Sequence, residues 1–549
     1  MILLNPFIKF PTSAALSFTI TVDTTKAGSA SDTFILPLQT GTYDAYIDWG
    51  DSNITNVVTD SDQSHTYTTG GIKTIKITGT FPGIQFSNFG DKLKITAVTD
   101  WGEIVFTSFN KAFYGCTNIT ITATGAANTS SVTDMTQAFA SCTSLTTDDI
   151  NFNTSNVTIM TSMFKGCTSF NGNISSFNTA KVTSMFSMFQ NCEAFNQSVS
   201  HFNTSLVTDF ESMFDSCKIF NQSLSNFDVS KGLCFKNMFI LCEAFNQSLS
   251  AFITTAATNM EAMFKGCSVF NGSISNFNTS DVTTMFEMFS YCYDFNQSLS
   301  NFNTAKVTNM SYMFNYCLDF NQSLSSFNTA ASINMKNMFS YATSFNQSLS
   351  NFNTAKVTTM ENMFDHCYAF NQSLSSFNTA LVNNMKYMFR YALVFDGVVS
   401  SFNTAEVLTM NGVFYNARKF NQSISAWSTV KVTDMTIMFR NAYLFNQAVS
   451  TFNTSAVTSM NAMFLSAKVF DQDVSAFDIE ACIDFSSMFS SSAFTQTNYD
   501  LLLVAWEAQV YSINESFSAG TAKYGALAPA TSKAALEADG WSITDGGPA

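Results

Sequence analysis

The sequence predicts an α+β repeat solenoid of 25-residue coils, each with one short strand and one short helical segment, preceded by a small β-sandwich. Three observations carry that prediction. The Phe of a Met-Phe pair (Val-Phe once) falls at Phe164, Phe189, Phe214, Phe239 and every 25th residue to Phe489, fourteen coils without insertion or deletion. A period this strict marks one supersecondary unit per repeat, stacked on near-identical neighbours. Within a coil such as residues 295–319, Val307, Met310, Met313, Phe314 and Cys317 step along one face of a short helix. Ahead of the repeats, residues 18–22, 43–47 and 72–77 alternate apolar and polar side chains with Gly/Asp/Ser clusters between them, as half-buried strands do.

In chain order, residues 1–15 form an N-terminal arm, 16–91 the β-sandwich, 92–494 the repeats and 495–549 a closing cap. The opening MILLNPFIKFPTSAALS has no basic start, and Asn5, Pro6, Lys9 and Pro11 interrupt its apolar stretch. It is therefore read as an arm that docks on another surface protein, not as a secretory leader. In the sandwich, Asp48-Trp49-Gly50-Asp51, His65-Thr66-Tyr67 and Gly70-Gly71 follow one another in order. This set resembles the polycystic-kidney-disease (PKD) type of immunoglobulin-like domain, which implies a spacer or adhesion module of about 70 residues. Asp48, Asp51, Asp60 and Asp62 invite comparison with a calcium site, but carboxylates in turns are the expected reading, and no metal is assigned.

Residues 92–150 carry a worn version of the repeat, around Phe113 and Phe139, as expected where the first coil closes one end of the core; Trp101 is expected to help. In the regular coils a Thr precedes the helical face where an N-cap belongs, and Thr208/Glu211, Thr258/Glu261 and Thr358/Glu361 have capping-box spacing. Next, Phe320-Asn-Gln-Ser-Leu324-Ser is expected to form a strand with Leu324 inward and Ser323 and Ser325 outward, followed by an inward Phe327 and an Asn-Thr turn. F-N-Q-S-[LIV]-S, N-T-A-x-V-T and M-F-x-x-C recur in phase over some 400 residues. The unit resembles the short repeats of bacterial surface proteins allied to the BspA-like leucine-rich repeats. That resemblance implies a leucine-rich-repeat-like solenoid and a surface role. Phe stands where that family usually has Trp, Trp427 excepted, and the family's usual export signal is missing. After Ala493 the pattern stops. Leu501 to Val504 with Trp506 reads as a helix, residues 528–538 with Pro529 at the start as a second, and 541–544 as a strand.

Composition excludes several classes of function. Only 12% of residues are charged, the formal net charge is −15, and Lys and Arg form no run along the sequence. Phosphate backbones and anionic membranes are poor partners for such a chain, so nucleic acid is not expected. No 18-residue apolar run exists, so membrane insertion is not expected either. His65, His201 and His366 lie in different units without a nearby nucleophile and acid, and Asp148-Asp149 sits beside a turn; no enzyme and no cofactor is expected. Cys116, Cys142, Cys167, Cys192, Cys217, Cys242, Cys267, Cys292, Cys317 and Cys367 share one coil position. Ala342, Ala392, Ala417, Ala442 and Ala467 fill the same slot elsewhere, which favours free, buried thiols over disulfides or zinc.

One position breaks the monotony. Two residues after the Met-Phe pair stand Gly166, Asn191, Ser216, Leu241 and Gly266, then Tyr291, Tyr316, Tyr341, His366 and Tyr391, then Asn416, Asn441 and Ser466. Five successive aromatic residues, with Tyr293 and Tyr368 beside them, predict an aromatic edge. Stacking between coils is one reading and a ligand-binding surface the other. The expected function is adhesion to a host-surface glycan or protein by a bacteriophage virion protein (tail fibre, receptor-binding or capsid-surface protein), with the N-terminal arm attached to other virion proteins. A bacterial cell-surface adhesin and a structural spacer or filament subunit are the alternatives.

Overall fold

The computed structural model describes residues 17–146 and 150–549, so the N-terminal arm and Asp148-Asp149 lie outside the described residues. The chain divides into two compact units, Met1–Ala256 and Ala257–Ala549.

In the first unit the three expected strands form, together with five others. They are β1 (Phe18–Asp23), β2 (Thr33–Leu36), β3 (Asp44–Asp48), β4 (Ile54–Val57), β5 (Gln63–Thr66), β6 (Ile72–Thr80), β7 (Ile95–Asp100) and β8 (Thr120–Ile121), the expected three being β1, β3 and β6. One sheet runs β4-β3-β6-β1-β7-β8, and β2 pairs with β5. Alternation sets its register: Ile20 lies opposite Ile75 and Val98, and all three are fully buried. β7 lies beyond residue 91, where the repeat pattern placed the change to repeats, yet it pairs with β1 along its length. The Asp-Trp-Gly-Asp segment makes a turn in which Gly50, at φ 82°, passes so close to Thr74 that a Cβ would sit 2.4 Å from its carbonyl oxygen. Asp48 and Asp51 serve as turn acceptors, taking the N–H of Gly50 and Asn53, while Asp62 accepts the Leu38 N–H from a segment 24 residues away. Beyond the sheet, Trp101 is buried against Phe18, Phe106 and Phe152, and parallel bridges link Asp134, Ile159, Ser184, Asp209 and Cys234 in successive repeats.

The second unit shows the regular repeat plainly. Val307, Met310, Met313, Phe314 and Cys317 are fully buried, as the pattern predicts. The backbone that buries them is not a helix. It is a chain of β-turns, closed by Met313 N–H to Met310 C=O, Asn315 to Tyr312 and Cys317 to Phe314 at 3.1–3.2 Å, with Tyr312 and Tyr316 both at φ 58°. A positive φ at the third residue is the mark of a type II turn. The N–H groups of Met310, Tyr312, Phe314 and Tyr316 instead donate to the carbonyls of Asn334, Lys336, Met338 and Ser340, 24 residues on. A helix would consume those donors internally. The capping boxes are corrected with it: Thr358 N–H bonds the Ile333 carbonyl, and the residue after this Thr folds an Asx- or ST-turn, as when Asn309 accepts the Ser311 N–H.

The expected strand at Phe320-Asn-Gln-Ser-Leu-Ser is also absent; the segment is extended chain without a strand ladder, although Leu324 and Phe327 point in and Ser323 and Ser325 out. Its Asn side chains bond between repeats rather than within them: Asn296 Oδ1 accepts from Asn321 N–H and Gln322 Nε2, both at 3.0 Å. Phe rings complete the core in columns, Phe314 stacking on Phe339 at 5.7 Å and Phe320 on Phe345 at 5.9 Å. After the last repeat come α1 (Gln496–Glu507), β9 (Ser516–Ser518), α2 (Ala528–Ala538) and β10 (Ser542–Thr544). Phe494 stacks on Phe489 at 4.1 Å, while Trp506 and Phe517 bury against the same end. No helix among the described residues is long and apolar enough to cross a membrane.

Candidate functional site

The slot two residues after each Met-Phe pair is a left-handed backbone position. Its φ is 77° at Gly166, 59° at Asn191 and 58° at Leu241 in the first unit; in the second it is 55–61° at Tyr291, Tyr316, Tyr341, His366 and Tyr391 and 58–59° at Asn416, Asn441 and Ser466. Glycine and asparagine suit this conformation, whereas a residue with a bulky Cβ substituent pays roughly 1–2 kcal/mol to adopt it. Five aromatic side chains in succession are therefore held against local backbone preference.

The rings form a continuous stack. Centroids lie 4.7 Å apart for Tyr291–Tyr316, 4.2 Å for Tyr316–Tyr341, 4.0 Å for Tyr341–His366 and 4.4 Å for His366–Tyr391, with planes within 13°. Stacking between repeats, one of the two readings of these residues, thus describes their packing. It also covers both faces of Tyr316, Tyr341 and His366, so the row offers ring edges and hydroxyls outward. Tyr293 and Tyr368 turn across it, at 73° to Tyr291 and 60° to His366, and are 38% and 40% exposed. Burial, then the neighbouring Tyr341, pushes the Tyr316 phenol up to about 12. At neutral pH it keeps its proton.

The middle of the stack rests on a buried carboxylate. Asp365, 2% exposed, accepts from His366 Nδ1 at 2.7 Å and from Arg390 Nε and Nη2 at 2.9 and 2.5 Å. At its far end the stack meets Tyr415, whose ring stands at 64° to Tyr391 with the two hydroxyls 3.4 Å apart. Arg440 lies over Tyr415 at 5.4 Å, Arg390 over Tyr387 at 4.5 Å and Arg418 over Tyr443 at 5.4 Å. Sequence reasoning found the seven aromatic residues and missed these cations. The signal was present but spread out: all three arginines of the chain lie between 390 and 440, one in each of three successive repeats.

Other chemistry is sparse among the described residues. His65 bonds Asp51 and His201 the Ile174 carbonyl, and neither is hydrogen-bonded to a nucleophile. The cysteines are free; in the shared slot Cys142, Cys192, Cys217, Cys292, Cys317 and Cys367 are among those whose thiols donate to a Phe carbonyl of the preceding repeat, as Cys317 does to Phe289 at 3.0 Å. Asp209, Glu211 and Cys234 are close enough to share a cation, but burial pushes the Cys234 thiol up to about 11 and it donates to Glu211.

Five overlapping stretches, residues 107–227, 196–299, 235–352, 326–427 and 410–524, match the family model described as "Mycoplasma protein of unknown function, DUF285". No curated protein and no solved structure matches the chain.

Proposed function

We propose, from the premise that this chain belongs to the DUF285 family and that the family's description assigns no activity, that it is a non-enzymatic attachment protein whose aromatic edge contacts a host-surface glycan or protein. The observation that carries this reading is the row Tyr291, Tyr316, Tyr341, His366 and Tyr391, placed at left-handed positions that other repeats fill mostly with Gly, Asn or Ser. The core does not require those rings. The row presents ring edges and hydrogen-bonding hydroxyls at small conformational cost, which suits sugars and protein loops. We read the repeats as coils of one leucine-rich-repeat-like solenoid of BspA-like type, and the N-terminal sheet as a PKD-like, immunoglobulin-like spacer.

For the carrier we favour a bacteriophage virion, as a tail fibre, receptor-binding or capsid-surface protein, over a bacterial cell surface. Free, buried cysteines support assembly in a reducing cytoplasm. The face-to-face stacking favours a second reading, in which the row only packs repeat against repeat in a structural spacer.

One variant separates the two. Changing Tyr291, Tyr316, Tyr341 and Tyr391 together to Asn removes the rings and relaxes the backbone. An attachment role predicts that binding to cells recognised by the wild type falls at least tenfold, about 1.4 kcal/mol, while the Tm moves little. Undiminished binding with a large fall in Tm would leave the row as packing alone.

A further inference from the structure

We infer that the arginine-bearing end of the aromatic row is an anion subsite, and that the attachment ligand is an acidic polysaccharide whose carboxylates are met by Arg440 and Arg418. The inference rests on the attachment reading and names its ligand class. Its basis is separate: where the positive charge lies, and what it is bonded to.

The chain has a formal charge of −15, yet its three arginines occupy three successive repeats where the stack ends. Arg390 is committed, gripping Asp365 through Nε and Nη2. Arg418 and Arg440 form no ion pair among the described residues. Arg440 Nε is shielded from water and has no acceptor. That atom is out of a ligand's reach, but the terminal nitrogens of both guanidinium groups carry no hydrogen bond among the described residues, and a carboxylate is the partner they match. Each of the two lies over a tyrosine ring, Arg440 on Tyr415 and Arg418 on Tyr443, which orients the cation without neutralising it.

Continuity supplies the polymer. Tyr415 contacts Tyr391, the last ring of the stack, so charge and aromatic edge form one surface. Ring centroids spaced 4.0–4.7 Å apart give a regular chain lying along the row a similar contact at each step. At physiological salt, charge is screened beyond about 8 Å, so these local cations prevail over the distant negative charge. A neutral glycan offers Arg440 hydroxyl acceptors but no counter-charge.

Substitutions that other repeats already carry make the test clean. The Arg440 slot holds Gln190, Ser340 and Leu465 elsewhere, and the Arg418 slot holds Thr168 and Thr343. The probes are polygalacturonate, the same polymer fully methyl-esterified, and linear polyphosphate. The wild type is expected to bind polygalacturonate at least tenfold more tightly than its ester, with affinity falling as salt rises. R440Q/R418T should lose that tenfold preference, keep the wild-type Tm and bind the ester unchanged. Equal binding of acid and ester, full retention of acid binding by the double variant, or tighter binding of polyphosphate would each overturn the carboxylate assignment. If no polymer binds while wild-type attachment to cells persists, the acidic-glycan inference fails and the attachment reading stands. Loss of the attachment reading shows instead in the tyrosine variant.

Discussion

Lys94 lies wholly out of water, its ammonium donating to the carbonyls of Ser29, Ala30 and Thr33 and to the Ser29 hydroxyl at 2.7–3.0 Å. Asp91, equally buried 3.7 Å away, accepts from the Ser29 and Ile35 N–H groups and the Ser29 hydroxyl. Together they pin the loop before β2. Lys94→Met would leave the carboxylate buried without its counter-charge, so a loss of about 3–5 kcal/mol is expected in urea unfolding of the N-terminal sheet; a loss below about 1 kcal/mol would show that the loop holds without the pair. The ladder cysteines make a second residue-scale prediction. Burial pushes the thiols of Cys116, Cys142, Cys192, Cys217, Cys292, Cys317 and Cys367 above their ordinary value. The folded chain then keeps protons that the unfolded chain releases, so their stabilising contribution is complete below about pH 8.5 and declines as pH rises, by roughly 1.4 kcal/mol per unit for each thiol. Cys317→Ala, the residue in that slot at Ala342, should make the fall of Tm between pH 8.5 and 10 shallower. Identical slopes would mean that the thiols do not set the alkaline limit.

At the scale of the element, each repeat is a chain of turns with two left-handed positions, and side-chain choice there is a stability variable. Leu241, at φ 58° and 43% exposed, pays the left-handed penalty with little burial in return. Leu241→Asn is expected to stabilise the first unit by about 0.5–1 kcal/mol, read as a rise in denaturant midpoint, because Asn tolerates this conformation. A fall would show that the exposed Leu makes a packing contribution larger than its strain. This element also marks where sequence reasoning stopped. Val307, Met310, Met313, Phe314 and Cys317 were correctly read as buried, but a helix and a chain of β-turns bury the same residues, so the pattern could not choose between them. Tyrosines, unlike Gly, do not announce a positive φ; only Gly166, Gly266 and the three asparagines in the slot hinted at it. In the cap, where Pro529 sits in the first turn of α2, local signals were unambiguous and the helix runs over Ala528–Ala538 as expected. The aromatic row was legible because one slot changed type for five repeats. The arginines were not, because Arg390 and Arg440 occupy one slot two repeats apart with Tyr415 between them, and Arg418 another.

On the scale of the whole molecule, fourteen in-phase repeats make length a variable that can be changed in steps. In the second unit each repeat sends N–H groups to the carbonyls of the next, as Met310 does to Asn334, and receives the same from the one before, as Met285 does to Asn309. Phe columns and the Asn296–Asn321 bonds keep the same register. Removing residues 295–319 joins Asp294 to Phe320, so every later donor meets the equivalent acceptor and Phe289 meets Phe339 as it now meets Phe314. Nearest-neighbour stacking predicts a folded protein, slightly less stable by one repeat and its interface. Removing only residues 295–306 instead sets Asp294 before Val307, displacing all later landmarks by about half a repeat and presenting Ser and Asn where Phe and Leu are buried. That variant should open around the junction and be cut there by protease at concentrations that leave the full-repeat deletion intact. Equal resistance of the two deletions would mean that the repeats are not interchangeable coils, and would remove the basis for treating the aromatic row as a surface whose length is set by the number of repeats that carry it.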